Sequence, residues 1–336
     1  MRGSATGLST DPAELAGALR RFGLDNYTPL FGNPHSPVTV VAQDIFEGRR
    51  ILLKEAREYL GEGEFRLHVA LHDHVRRAGG PVPQPLAIAG KAVLSDSGGR
   101  LAEVQCWVEG RTLATSSPDD LAAAGAALAR FHAAAADFAD RSAHAEPRER
   151  LAKAAAYRRH LERARTEEGQ VDALYDRLAR AARETSRVEG PLAKPQILHG
   201  DPAPSNFLVL PDGSVLLVDL DDAHEAAPIG DLAWLLCLTS AFCWRPGHVP
   251  DFGIRGAWDA TSFSAVMQGY CAAANIARTR ITTLKPWLCA SIVCAVTDCF
   301  VDGGEPENAR EMPRVVAAAL DLIDEMASWQ GESPNE

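Results

Sequence analysis

The sequence predicts a two-lobed α+β fold. Residues 1–108 form a β-rich N-terminal lobe with one main helix, and residues 109–336 form a mostly helical C-terminal lobe carrying short strand hairpins. Three observations lead there. Residues 38–42 (Val-Thr-Val-Val-Ala) and 50–54 (Arg-Ile-Leu-Leu-Lys) are strand-like runs joined through Glu47-Gly48, and one helical pattern, 62–78, follows them. After Ser117-Pro118 the texture turns Ala-rich and helical. Inside that helical half lies an island of strand-like sequence: Ile197-Leu198, then Phe207-Leu208-Val209, then Val215-Leu216-Leu217-Val218, with polar loops between.

The remaining elements follow in order. Asp11-Pro12 with Leu15, Leu19 and Phe22 reads as a short capped helix. Gly79-Gly80-Pro81 stops the 62–78 helix, and Pro81-Val82-Pro83-Gln84-Pro85 is extended. Residues 86–94 and 101–108 are expected to pair as a hairpin across Ser97-Gly98-Gly99. Residues 119–137 are an Ala-rich helix, with Ser117 or Asp119 near its cap. Residues 139–190 read as a charged helical insert ahead of the strand island. Further helices are expected near 231–243, 259–275, 284–300 and 312–329, and residues 330–336 are expected to fray.

Composition narrows the function. At 336 residues the chain exceeds what one small core organises. Its 46% apolar and 24% charged content is that of an ordinary globular protein. The net charge of −11 argues against a general nucleic-acid binder, which needs a basic footprint, and it allows a cationic substrate. Seven cysteines with no C-x-x-C pair point to reduced core thiols, a cytoplasmic setting and no zinc site. No apolar run reaches the ~18 residues of a membrane helix, and the N-terminus lacks a signal-peptide core.

The chemistry is concentrated in the loops of the strand island. Asp201 and Asn206 stand five residues apart, and Asp219 lies thirteen beyond Asn206. Phosphoryl transfer is built from such parts: a base Asp, an Asn on magnesium and a further metal-binding Asp. Asp201 is the candidate base, against the plainer reading of a turn Asp before Pro202. Asn206 and Asp219 are the candidate Mg²⁺ ligands, hard oxygens that suffice when nucleotide phosphates supply the rest. Local turn bonding is the alternative for Asn206. A mere strand-end Asp is a poor alternative for Asp219, because it follows the buried run Val215–Val218.

Lys54 ends an apolar strand. It is either simply solvated or the lysine that holds nucleotide phosphates while paired with a helix Glu. Glu64 is the best partner, with Glu55, Glu58 and Glu62 as rivals. There is no G-x-G-x-x-G. Gly32-Asn33-Pro34-His35-Ser36-Pro37 sits where a phosphate-covering loop belongs, and Gly32 and Ser36 are its candidate contacts, a plain turn being the alternative.

These residues together resemble the aminoglycoside phosphotransferase and choline kinase superfamily, the small-molecule relatives of protein kinases. The resemblance rests on His199-Gly200-Asp201 with Asn206, Val218-Asp219-Leu220-Asp221-Asp222-Ala223 and Gly230-Asp231-Leu232-Ala233. It extends to Leu128-Ala129-Arg130-Phe131-His132, Gln268-Gly269-Tyr270 and Gly80-Pro81-Val82-Pro83, so it spans roughly residues 30 to 275 in family order. Pro202 stands where the family often has Leu, and Leu220 where it often has an aromatic.

The resemblance implies a protein-kinase-like bilobal fold, with ATP or GTP as donor and Mg²⁺ as cofactor. It implies that His199 bonds the catalytic-loop backbone and that Asp231 braces the loop; Asp221 is either a carboxylate supporting the site or a substrate contact, the supporting role being preferred. It also implies a hinge at 103–110, with Cys106 C=O and Val108 N–H as base contacts and Gln105 as gatekeeper. Trp234, Trp244, Trp258, Tyr270 and Trp287 lie where this family builds its acceptor pocket, although aromatics at such spacing also suit a core. Asp222, Glu225 and Asp251 are acidic residues of the same region.

The expected activity is transfer of phosphate to a hydroxyl of a small molecule. An antibiotic is the first choice of acceptor and a primary metabolite of choline, homoserine or sugar type the second. The expected partners are a nucleoside triphosphate and that acceptor, with neither nucleic acid nor membrane, in a monomer or homodimer. A protein kinase fits less well, since no Ala-Pro-Glu follows Asp219 and Asp231 comes only twelve residues later. A nucleotide-binding pseudokinase is disfavoured because Lys54, Asp201, Asn206 and Asp219 are all present.

Overall fold

A computed structural model describes residues 9–34, 37–58, 60–138, 170–185, 192–243, 253–281, 284–301 and 308–327. Helix α1 (Pro12–Arg21) starts where the Asp11 carboxylate accepts the Ala13 N–H at 2.8 Å, and it buries Leu15, Ala18 and Leu19. Strands β1 (Tyr27–Asn33), β2 (Thr39–Asp44) and β3 (Arg50–Glu55) form an antiparallel meander. Helix α2 (Glu62–Arg77) follows, then β4 (Pro85–Leu86), β5 (Val93–Ser95) and β6 (Leu101–Cys106). The sheet runs β1-β2-β3-β6-β4, with β5 also on β6.

One expectation fails here. Residues 86–94 are not one strand, because Ala89 (φ 50°) and Gly90 (φ 77°) fold the chain back so that Ile88 bridges Lys91. Two positive φ values are what a tight I′ turn requires, and Ala is a rare residue for its first position.

The second half contains β7 (Arg111–Thr112), α3 (Pro118–Ala135), α4 (Gln170–Thr185), β8 (Gln196–Leu198), β9 (Phe207–Val209), β10 (Val215–Leu217) and β11 (His224–Ala226). After them come α5 (Pro228–Ser240), β12 (Phe242–Cys243), β13 (Gly253–Ile254), α6 (Ala260–Ala274), α7 (Leu284–Val301) and α8 (Asn308–Ala327). Ser117 caps α3 by accepting the Asp120 N–H. Helix α5 begins three residues before its expected start, at Pro228, whose fixed φ suits a first helical turn. Of the expected insert 139–190, residues 170–185 are α4 and the rest lies outside the described residues.

One apolar core joins α1 to the sheet through Leu15, Leu19, Val40, Ile51, Leu53 and Val104. A larger one gathers α3, α5, α6, α7 and α8 around Phe131, Leu235, Val266, Leu288 and Val316. Helix α2 touches both halves. Leu67, Leu71 and Val75 enter the larger core, while Phe65 and Val69 pack with Leu101 of β6. Helices α3 and α6 meet at their backbones, where a Cβ on Gly125 would strike the Val266 carbonyl oxygen and one on Gly269 that of Ala122. No helix among the described residues is long and apolar enough to cross a membrane.

Candidate active site

Two loops carry the polar residues singled out above. Loop 199–206 leaves β8, and loop 218–223 leaves β10. Strand β10 pairs with β9 (Leu217 opposite Phe207), and β11 returns to pair with β8 (His224 opposite Leu198). The two loops are therefore forced side by side. Gly200 sits at φ 85° against the second loop, and a Cβ there would collide with the Asp222 carbonyl oxygen, so the position demands glycine.

His199 is fully buried. Its Nε2 bonds the Val218 carbonyl at 3.1 Å, and its Nδ1 accepts the Asp201 N–H at 3.4 Å. Burial holds the imidazole below its ordinary pKa, against the pull of Asp231 and Asp201. The hydrogen bonds thus assign a neutral ring protonated on Nε2.

The Asp231 carboxylate, in the first turn of α5, accepts the backbone N–H groups of His199 (2.9 Å) and Gly200 (3.2 Å). It also bonds His132 Nε2 at 3.1 Å, and His132 Nδ1 bonds the Tyr270 hydroxyl at 2.8 Å. Burial raises the Tyr270 phenol, which keeps it a donor. Three helices, α3, α5 and α6, therefore anchor two backbone amides. From its place at the start of α5, the Asp231 carboxylate reaches the neighbouring loop.

Asp201 projects from the end of that anchored segment. Its Oδ1 accepts the Trp234 indole N–H at 2.9 Å. Asn206 Nδ2 donates to the Asp201 carbonyl at 2.8 Å and to Oδ2 at 3.2 Å. The Asn206 carbonyl accepts the Val218 N–H at 3.0 Å, which ties the first loop to the approach of Asp219. Trp234 lies one helical turn after Asp231, so both point from one face of α5. Sequence reasoning grouped Trp234 with general pocket or core aromatics and missed this bond.

Across the cleft, the Lys54 ammonium of β3 bonds Asp219 Oδ1 at 2.7 Å and Asp221 Oδ1 at 2.8 Å. Arg57 takes the other two oxygens, with Nε to Asp221 Oδ2 at 2.6 Å and Nη2 to Asp219 Oδ2 at 2.9 Å. Arg57 was not anticipated. The expected pairing of Lys54 with Glu64 is corrected: the carboxylates that hold Lys54 come from the 218–223 loop, and Glu64 stands half-buried in the first turn of α2. Of the rival glutamates, buried Glu55 accepts the Val38 N–H at 2.7 Å and pairs with Arg100.

Burial alone would pull the Lys54 ammonium down, yet Asp219, Asp221 and Glu103 outweigh it and hold it above its ordinary value. Burial pushes Asp219 up, but Lys54 and Arg57 together hold it below the usual carboxylate range. Asp221 ends up raised, by burial and the adjacent Asp219 charge. Asp219 adopts a left-handed φ of 68°, a conformation uncommon for a non-glycine and frequent at functional sites.

Glu103 stands opposite Lys54 in the β3–β6 register. It is bonded by His72 Nδ1 at 3.3 Å and by Gln105 Nε2 at 2.7 Å. These residues line a small cavity behind Lys54, together with His68 and Phe65 of α2. At the expected hinge, Cys106 N–H donates to the Gln84 carbonyl and Trp107 N–H to that of Arg50, and Val108 follows, half-buried. Phe31 packs edge-on to Trp107, with ring centres 5.6 Å apart. Ser36, Trp244 and Asp251 lie outside the described residues.

The donor set fits Mg²⁺. With its Nδ2 committed to Asp201, Asn206 is oriented with Oδ1 as its remaining donor oxygen, and Asp219 adds a charged one. Among the described residues, no group of three or more His, Cys, Asp or Glu would hold an ion alone. That suits a cation which keeps water and takes phosphate oxygens as ligands.

Comparison with known proteins agrees with this geometry. A family model described as the phosphotransferase enzyme family (APH) matches residues 45–274. A homoserine kinase of Methylocella silvestris is 28% identical over 247 residues, covering 70% of this chain and 71% of that protein. Among solved structures, a microcompartment-associated aminopropanol kinase superposes with a TM-score of 0.72 at 15% identity, covering 94% of this chain and 97% of that one. An aminoglycoside phosphotransferase from Alicyclobacillus acidocaldarius superposes with a TM-score of 0.65 at 16% identity, covering 93% and 94%. At such identities the structures share the fold, which is the protein-kinase-like α+β fold. The chain belongs to the phosphotransferase enzyme family.

Proposed function

We propose that this small-molecule kinase moves the terminal phosphoryl group of ATP or GTP to a hydroxyl of a small, amino-bearing metabolite. One observation carries the phosphoryl-transfer reading. Lys54, Asp219, Asn206 and Asp201, spread over 166 positions of sequence, are brought together: Lys54 bonds Asp219, the Val218 N–H beside Asp219 donates to the Asn206 carbonyl, and Asn206 bonds Asp201.

Each residue has a role in that reading. Asp201 orients the acceptor hydroxyl and accepts its proton late, since the transition state is loose. Lys54 holds donor phosphates. Asn206 and Asp219 hold Mg²⁺, which when bound neutralises charge on the phosphates. Cys106 C=O and Val108 N–H receive the base, with Gln105 behind them. The closed bonding around Asp231 and His199 keeps the Asp201 backbone from drifting, which matters because small misplacement costs rate steeply.

The amino-bearing acceptor rests on the sequence relative, a homoserine kinase matched over most of both chains. The antibiotic expected from sequence is the second reading, and its support is likeness of fold to an aminoglycoside phosphotransferase. The test incubates the protein with Mg·ATP or Mg·GTP and a panel of homoserine, aminopropanol, choline and aminoglycosides, read by mass for one added phosphoryl group. Product from an amino-bearing metabolite supports the proposal. Product from aminoglycosides alone would replace the metabolite with an antibiotic.

A further inference from the structure

Arg57 lies just past β3, in the connection to α2, where its carbonyl accepts the Leu60 N–H in a turn. Its guanidinium and the Lys54 ammonium share two carboxylates in a closed ring. Lys54 takes both Oδ1 atoms, and Arg57 takes both Oδ2 atoms. Two unit positive charges therefore balance two negative ones. The side chains are largely shielded, at 20% exposure for Arg57, 21% for Asp219 and 5% for Asp221. Charge-assisted hydrogen bonds are among the stronger polar contacts, and low solvent access strengthens them.

We propose that Arg57 is a positioning residue that stands in for the metal, occupying Asp219 until Mg²⁺ arrives with nucleotide and then turning to the phosphates. This rests on the reading of Asp219 as a metal ligand. A lone divalent cation approaching Asp219 meets an oxygen pair already bonded and two neighbouring positive charges. Among the described residues it also finds too few protein oxygens to be held without phosphate. Nucleotide changes both conditions, because its phosphates bring negative charge that Lys54 and Arg57 are placed to take. Lys54 is fixed by its strand, whereas Arg57 sits on the connecting segment and has the length to swing. The consequence is an obligatory order in which metal enters only as its nucleotide complex, and Asp219 is never left as an uncompensated charge in a shielded site.

The test measures Mn²⁺ uptake by the full chain, read by electron paramagnetic resonance, first with Mn²⁺ alone and then with ADP. The wild type should take up Mn²⁺ with ADP and not without it. Arg57→Met should bind Mn²⁺ alone at least roughly 10-fold more tightly than the wild type, and Asp219→Asn added to it should abolish that gain. Arg57→Lys, which keeps the charge but replaces the two-nitrogen edge with a single ammonium, should fall between, and it covers the case of a poorly folded Arg57→Met. In steady state, Arg57→Met should raise KM for the nucleotide more than it lowers kcat. Arg57 variants binding Mn²⁺ no better than the wild type would overturn the proposal, as would a wild type that binds Mn²⁺ alone. A wild type that binds no Mn²⁺ even with ADP would instead remove Asp219 as the metal ligand.

Discussion

The loop bearing Asp201 enters β9 and the corner bearing Asp219 leaves its partner strand β10, yet they are held by opposite means. Around Asp201 the anchors are hydrogen bonds to backbone and a neutral His199, drawn from α3, α5 and α6. Around Asp219 the anchors are two cations on two carboxylates. Backbone bonds of the first kind persist whether or not a ligand is bound. Charge pairs of the second kind are those a metal and a triphosphate would replace. One side is preorganised, and the other is preloaded for exchange. The division suits a reaction in which the acceptor must meet a fixed base, while a highly charged donor must bind and leave.

The largest expected effect sits on the preorganised side. Asp201→Asn should lower kcat by about 10³-fold, the usual scale for a lost base. Mg·ADP affinity should be unchanged, because Lys54, Asn206 and Asp219 remain; calorimetry showing equal loss of both would merge the two regions. Asp231→Ala should come next. It strands two backbone amides and His132 in a buried site, costing about 3 kcal/mol of unfolding free energy, read by urea denaturation. A change under about 0.5 kcal/mol would mean that the loop is held elsewhere.

Trp234→Phe removes one bond to the Asp201 carboxylate, and kcat should drop about 10-fold, in line with the loss of a single hydrogen bond to a charged group. In an Asp201→Asn background the same change should do nothing further. Independent multiplication of the two effects would show that Trp234 acts through packing alone.

The smallest effect is a pH slope. His199 is buried neutral with its pKa lowered from 6.5, so the unfolded chain binds more protons just below that pH. Stability is then complete above about 6.5 and falls as pH drops toward the folded value. His199→Gln should flatten that part of a melting-temperature profile. An unchanged profile would place the acid sensitivity elsewhere.

The contrast also explains what was legible in the sequence. The loop residues were readable because Asp201, Asn206 and Asp219 keep fixed spacing between apolar strands, and pairing of β8 with β11 and β9 with β10 converts that spacing into proximity. The helical second half was readable from its texture, with α5 misplaced by three residues because Pro228 was not taken as a start. Arg57 was not legible. Its partners lie 162 and 164 residues away, and an arginine after a strand carries no local signal. Glu64 was chosen for its place at the start of α2. The lysine instead met Asp219 and Asp221, which tertiary approach of the two halves brought closer. The Ala89-Gly90 turn was hidden because alanine rarely accepts a positive φ.

The central claim is that Lys54, Asp201, Asn206 and Asp219 act as one phosphoryl-transfer centre. Its most direct test follows γ-labelled ATP into whichever acceptor turns over fastest, with the wild type and with Lys54→Met, Asp201→Asn, Asn206→Ala and Asp219→Asn. The account predicts labelled phosphate ester from the wild type and a loss of at least about 100-fold in every variant. A folded variant of any of the four that transfers label at the wild-type rate would contradict it.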